Sequence, residues 1–222
     1  MNGFGSINIS IATKFRERFA ADCIEGILLG YEKMYLEKLY DVNSVEDNLT
    51  AHLVRNMEEV GYLTAKDIIV DPQHKLYSKN VFFGTGNPAK SPTIDLKFGK
   101  IWARTEHKFY AEAKNLSEKN WRKTSGKAVI ASDSRSYYIS DGIERYLSEY
   151  YPKGCLIGYV VNGTVSGVVS KLNNLLIRRG VGPRVGTLKQ DTGATRNCCF
   201  MSDNELSPGN IFTLRHLILQ LV

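Results

Sequence analysis

Little in this chain speaks for extracellular, membrane or zinc chemistry. Its four cysteines, Cys23, Cys155, Cys198 and Cys199, lack CxxC spacing. Adjacent Cys198 and Cys199 make a poor disulfide pair, so reduced thiols and a cytoplasmic location are expected. The histidines His52, His74, His107 and His216 show no HxH or HxxxH spacing, which argues against a zinc site. No stretch approaches the roughly 18 apolar residues that a spanning helix needs. The opening residues, MNGFGSINISIATKF, lack a basic segment followed by an apolar run, so no secretory signal is expected. Repeats and low-complexity linkers are missing as well.

What is present is an ordinary globular balance. The 222 residues, 43% hydrophobic and 23% charged, suit a single domain over 1–222 whose core needs no covalent staples. The net charge is +6, but its distribution is more informative. Nine Lys or Arg against three Glu lie between Lys97 and Lys127, and six against one Asp between Lys171 and Arg196. Acids gather towards the amino-terminal part at Asp41, Glu46, Asp47, Glu58 and Glu59. A basic surface around a few acids in strands is what a polyanion-binding site requires.

Periodicity organises the chain into elements. Phe15, Phe19, Cys23, Ile27 and Tyr31 recur at four-residue steps, predicting one or two amphipathic helices over 12–40. A further helix follows with the stripe Val45, Leu49, Leu53 and Met57, a capping-box-like Ser44 and Asp47, and Gly61 at its end. IIVDPQHKLY reads as a short strand and turn, FFGTGNPAKSP as a loop, and IDLKFGKIWARTEHKFYAEAKNL as two strands with a short connection. Beyond Lys114, SEKNWRKTSGK reads as a loop, and a helix over about 139–151 ends at Pro152. GCLIGYVV reads as a strand buried on both faces, TVSGVVSKLNNLLIRRG as a helix ended by Gly180, and IFTLRHLILQLV as a closing strand. The predicted fold is α/β (mixed α+β), a central mixed sheet flanked by helices. It divides into an amino-terminal helical segment (1–41), a core (42–180), and carboxy-terminal strands and loops (181–222).

One phosphate motif can be set aside. GTGNPAKS resembles a P-loop, but Ala89 stands where the second glycine belongs, and Pro92 with TIDLKF predicts a strand after Lys90 instead of a helix. A glycine-rich turn is expected there.

The charged residues inside the paired strands are harder to dismiss. Period two puts Phe109, Ala111 and Ala113 on one face of KFYAEAKNL, and Tyr110, Glu112 and Lys114 on the other. Asp95 begins the preceding strand and comes near Glu112 if the two pair as a meander. Two carboxylates and the Ala113 carbonyl would form a hard oxygen site suited to Mg²⁺, with Mn²⁺ as a substitute. Lys114 would stand beside it, able to orient or deprotonate a water or to stabilise charge on a phosphate.

Asp95 followed by Glu112-Ala113-Lys114 resembles the PD-(D/E)XK nuclease superfamily, the restriction-endonuclease-like fold. The resemblance covers roughly 42–180 in element order, including a helix and return strand in SDGIERYLSEYYPKGCLIGYVV. Ile94 replaces the proline of the Pro-Asp dipeptide. The resemblance implies Asp95, Glu112 and Lys114 as catalytic residues, with Asp95 and Glu112 as metal ligands. It also implies an acid from the preceding helix, Glu46 or its neighbour Asp47, completing the metal environment. The implied activity is a magnesium-dependent DNA endonuclease acting on double-stranded DNA, a homodimer being the economical way to cut two strands. Basic residues after the second strand, Lys119, Arg122, Lys123 and Lys127, surround Trp121 and would grip phosphates. Arg178, Arg179 and Arg184 form a second backbone contact. The alternatives are a non-catalytic nucleic-acid-binding module of the same fold and an RNA-directed nuclease.

Overall fold

The structure, a computed structural model, describes residues 9–148, 151, 154–179 and 185–222. The four-residue stripe of the first segment becomes one helix, α1 (Ile9–Glu37), with Phe19, Cys23 and Ile27 buried. Phe15 and Tyr31 are partly buried against the same core. Phe15 stacks on Trp102 with ring centroids 4.2 Å apart. Helix α2 (Glu46–Val60) packs across α1. Gly26 and Gly30 allow this close approach: a Cβ on either would stand 2.4 Å from Leu63 or Met57. Gly61 ends α2 at φ +70°, its N–H donating to the Met57 and Glu58 carbonyls. The expected capping box is not formed. The N-cap is Val45, which has no side-chain acceptor, because the helix starts one residue later than Ser44 would require.

Seven strands form a mixed sheet in the order β1-β2-β3-β6-β9-β8-β7. β1 (Ile69–Lys75), β2 (Thr93–Trp102) and β3 (Thr105–Ser117) run as an antiparallel meander. Ala103 and Arg104, both at positive φ, make the tight β2–β3 turn. β6 (Gly154–Asn162) lies parallel to β3, and β9 (Asn210–Gln220) parallel to β6. β8 (Cys199–Ser207) pairs antiparallel with β9, and β7 (Lys189–Gln190) closes that edge. The β1–β2 connection carries the one-turn helix α3 (Lys79–Phe82) and a 3₁₀ turn at Pro88–Lys90.

The β3–β6 crossover begins with a small hairpin, β4 (Trp121–Arg122) and β5 (Ala128–Val129). It continues through α4 (Ala131–Tyr137), a π turn (Tyr138–Ile143) and α5 (Glu144–Leu147). α6 (Val165–Arg178), capped by the Thr164 side chain, follows β6. Both faces of the sheet are covered. Leu96, Phe98, Ala111, Ala113, Ile157 and Leu219 pack with α1 and α2, while Ile94, Leu116, Leu156, Val160 and Ile218 pack with α4, the π turn and α6. Leu156 and Ile157 bury opposite faces of β6, as its continuous apolar run predicts.

The expected fold class, a central mixed sheet flanked by helices with an amino-terminal helix, is the fold observed. Some boundaries differ. The helix predicted from about 139 starts at Ala131, because polar SDSR forms an exposed first turn that reads as loop. The SEKNWRKTSGK stretch holds the β4–β5 hairpin. β8 was not expected, and it hydrogen-bonds β9, which lies well inside the sheet. Pro152, Gly180 and Arg184 lie outside the described residues. Among the described residues, no helix is long and apolar enough to cross a membrane.

Candidate active site

A parting of strands creates the site. Leu96 opposite Ala111 is the last β2–β3 pair, yet β2 stays paired with β1 as far as Thr93 opposite Lys75. Where β2 leaves β3, the Asp95 carboxylate replaces the missing ladder. Its Oδ2 accepts from the Ala113 backbone N–H at 2.7 Å. Its Oδ1 accepts from Gln73 Nε2 at 3.0 Å. Gln73 holds φ at +53°, a left-handed conformation costly for a residue with a Cβ, and from there its amide reaches Asp95.

Glu112 and Lys114 project from β3 as neighbours on one face. Glu112 is 3% exposed, and its Oε1 accepts from Lys114 Nζ at 2.6 Å. Its Oε2 is buried as well. The Tyr151 side chain hydrogen-bonds this carboxylate and favours its charged form. Lys114 Nζ also donates to the Ala113 carbonyl at 2.8 Å and to Glu46 Oε1 at 3.1 Å. An ammonium has three N–H donors, so all three are used inside the cluster.

Glu46 comes from the first turn of α2, and the β4–β5 hairpin fixes that approach. Lys123 Nζ donates to the Asn43 and Ser44 carbonyls, and the Thr124 N–H to Asn43 Oδ1 at 2.8 Å. Asn115 on β3 adds a bond to the Ser44 carbonyl. Glu46, rather than Asp47, reaches Lys114. Asp47 touches the site only through its field at Asp95.

Three carboxylates face one cation, and their acidities reflect it. Burial pushes Glu112 up to about 7, Asp95 pushes the same way, and Lys114 opposes. Burial also raises Asp95, against the pull of the Ala113 N–H and Lys114. Glu46 is raised by burial, countered by Lys114. For Lys114 burial favours the neutral amine, but Glu112 and Glu46 outweigh it and raise its pKa. Lys114 is therefore a fixed cation in this arrangement, suited to holding charge and unsuited to accepting a proton.

Asp95, Glu112, Lys114 and Glu46 are thus brought to one place from β2, β3 and α2. Asp95 faces Gln73 and Ala113, while Lys114 stands between Glu46 and Glu112. So, among the described residues, no group of three or more His, Cys, Asp or Glu is gathered closely enough to hold a metal ion. The donor set itself fits a hard divalent cation: oxygens only, an excess of negative charge, and two carboxylates shielded from water. The Lys114 ammonium already takes the Ala113 carbonyl and two of these carboxylates as acceptors, as a positive ion would.

The basic residues divide into two kinds. Lys119, Arg122 and Lys127 are exposed around the hairpin, with Arg122 donating to the Gly126 carbonyl. Lys123 is half-buried and tied to the α2 approach. Arg135 and Lys171, which sequence reasoning missed, line a cavity of about 390 Å³ with Ser132, Asn174 and Arg178. Both donate to backbone carbonyls just past β3, Arg135 to Ser117 and Glu118 and Lys171 to Glu118. Only the fold brings these α4 and α6 residues together.

Other candidates resolve more simply. The P-loop-like stretch folds as a turn in which Asn87 caps Ala89, with no helix at Lys90. All four cysteines are free, and burial pushes the Cys155 thiol up to about 12, which makes it inert. His216 is wholly buried between Tyr138 and Ser202. No protein-family model, curated protein or solved structure matches this chain.

Proposed function

We propose that this chain is a cytoplasmic, metal-dependent DNA endonuclease of the restriction-endonuclease-like kind, hydrolysing phosphodiester bonds. The observation that carries the reading is the convergence of Glu46, Asp95, Glu112 and Lys114 where β2 parts from β3, with the Asp95 and Glu112 carboxylates both buried. An acid-rich site is costly to build beneath a sheet end unless it receives a cation. Glu46, Asp95 and Glu112, with the Ala113 carbonyl, would hold Mg²⁺ or Mn²⁺. A bound ion supplies two things: a water acidic enough to attack at neutral pH, and neutralisation of charge on the phosphate.

The chain's own residues do the rest. The Ala113 N–H and Gln73 orient Asp95. Lys114 places a permanent positive charge where a phosphate's negative charge grows. Lys119, Arg122 and Lys127 on the hairpin, with Arg135, Lys171 and Arg178 beyond it, offer cations to the nucleic-acid backbone. The free thiols fit a reducing compartment. Cutting both strands of a duplex favours a homodimer.

One observation favours a second reading, a non-catalytic nucleic-acid-binding module. Lys114 uses all its donors within the cluster, so the ion pairs also serve as a self-contained strut. Supercoiled plasmid incubated with Mg²⁺ or Mn²⁺ separates the two, with structured RNA as a parallel substrate. The nuclease reading expects nicking of DNA, abolished by Lys114→Ala with the fold intact. Metal-independent binding without cleavage would leave the module.

A further inference from the structure

The connection between β1 and β2 carries a feature that the candidate active site does not use. Phe82 and Phe83 stand side by side at its tip, 74% and 78% exposed, and Tyr77, 46% exposed, meets Phe82 edge-on at 6.2 Å. Exposed aromatics in a slack loop would mean little, but this loop is tightly folded. Leu76 N–H donates to the Pro92 carbonyl and closes its base at 2.8 Å. The Thr85 and Gly86 N–H groups both return to the Asn80 carbonyl, at 2.9 and 2.8 Å, and Gly84 makes the turn at φ +74°. Gly86 packs so closely that a Cβ would meet Val81 at 2.9 Å. The backbone of the tip is therefore held in one arrangement, and it carries both exposed rings.

Charge and position specify what they meet. No acid occurs between Asp71 and Asp95, whereas Lys75, Lys79 and Lys90 fall in that interval. The loop springs from the strand ends that bear Gln73 and Asp95, which hydrogen-bond each other at the candidate site. An exposed aromatic pair in a segment whose charged side chains are all lysines suits a polyanion that also has flat apolar faces, which describes stacked bases on a phosphate backbone.

We infer that Phe82 and Phe83 form a wedge that stacks against bases of duplex DNA next to the phosphate held at the candidate site, with Lys79 and Lys90 taking the adjoining backbone. The inference rests on the nucleic-acid reading above and adds the element that unstacks the substrate.

The test is binding of the full chain, in EDTA, to a duplex carrying 2-aminopurine at successive positions, followed by anisotropy and by 2-aminopurine fluorescence. Wild type should bind and brighten the probe at one or two adjacent positions. Phe82→Ala with Phe83→Ala should weaken binding about tenfold or more and abolish the brightening, with the same dependence on salt. Phe82→Trp should restore both signals. The two phenylalanines lie outside the core, so an unchanged melting temperature serves as the control for folding. Failure of wild type to bind, equal binding by the double variant, or loss of self-association instead of DNA affinity would overturn the wedge. Because no metal is present, a wild type that binds and brightens the duplex but never cuts it with Mg²⁺ would overturn the nuclease reading alone.

Discussion

Two polar clusters buried against the sheet are opposites. In one, His216 receives a hydrogen-bond partner at each ring nitrogen, Tyr138 at 2.9 Å and Ser202 at 2.8 Å, and Asn204 bonds Ser202 in turn. The cluster is neutral and sealed. Burial drives His216 down to about 3, which keeps the ring uncharged. In the other, Glu46, Asp95 and Glu112 outnumber Lys114, and burial with repulsion from Asp95 holds Glu112 near 7. A neutral, fully bonded network rigidifies a core, whereas an excess of buried negative charge is costly unless a cation offsets it. A tyrosine, a histidine and a serine in line resemble catalytic machinery by composition, yet they lie where no substrate can reach. Net charge, more than residue type, separates the two clusters.

The widest gap between the two clusters should appear when each is disarmed. His216→Ala orphans the Tyr138 and Ser202 hydroxyls and leaves a cavity, so it should cost about 3–5 kcal/mol in urea unfolding. Its folded fraction should still nick plasmid at the wild-type rate. Glu112→Gln should leave the protein folded and no less stable than wild type near pH 8, where the buried charge it removes is disfavoured, while lowering nicking at least about a hundredfold. The reverse pattern would dissolve the distinction.

Acid–base linkage should sharpen the contrast, because the two clusters slope in opposite directions. The carboxyl of Glu112 is raised in the fold from 4.5 to about 7. The folded state therefore holds more protons over that window, and this group withdraws stability as pH rises through it. His216 is lowered from 6.5 to about 3, so the unfolded state holds more protons there, and stability is lost as pH falls below 6.5. Wild-type stability should thus vary little where the windows overlap. Glu112→Gln should leave a clear rise with pH, and His216→Asn a fall. Parallel slopes in both variants would break the comparison.

The smallest expected effect concerns Lys123. Tied to the Asn43 and Ser44 carbonyls, it holds the approach to Glu46. Lys123→Met should lower nicking about three- to tenfold through misplacement of Glu46, with DNA affinity in EDTA unchanged. A matching loss of affinity would make Lys123 a phosphate contact instead.

How far the sequence discloses this arrangement follows from how local each signal is. Asp95, Glu112 and Lys114 are legible because charges stand out against the period-two pattern of strands, and Ala113 beside them is small. Glu46 emerged only through a resemblance, since an acid in a first helical turn has an ordinary explanation in the helix dipole. Gln73 was invisible: its part depends on a positive φ and on the β1–β2 register, neither of which its residue type announces. Lys123 is legible as a basic residue, but its anchoring role depends on a hairpin reaching α2. Arg135 and Lys171 are far apart in the chain and meet only through the packing of α4 and α6. The fold class followed from long, strongly periodic segments. β8 and the start of α4 did not, because short polar runs carry little periodicity.

Calorimetric titration of Mg²⁺ into the free protein tests most directly whether the acidic cluster is built for a cation. Wild type should take up the ion with measurable heat, and Asp95→Asn with Glu112→Gln should abolish uptake while the far-ultraviolet spectrum and melting transition remain. Uptake undiminished in the double variant, or no uptake by a folded wild type, would contradict the account.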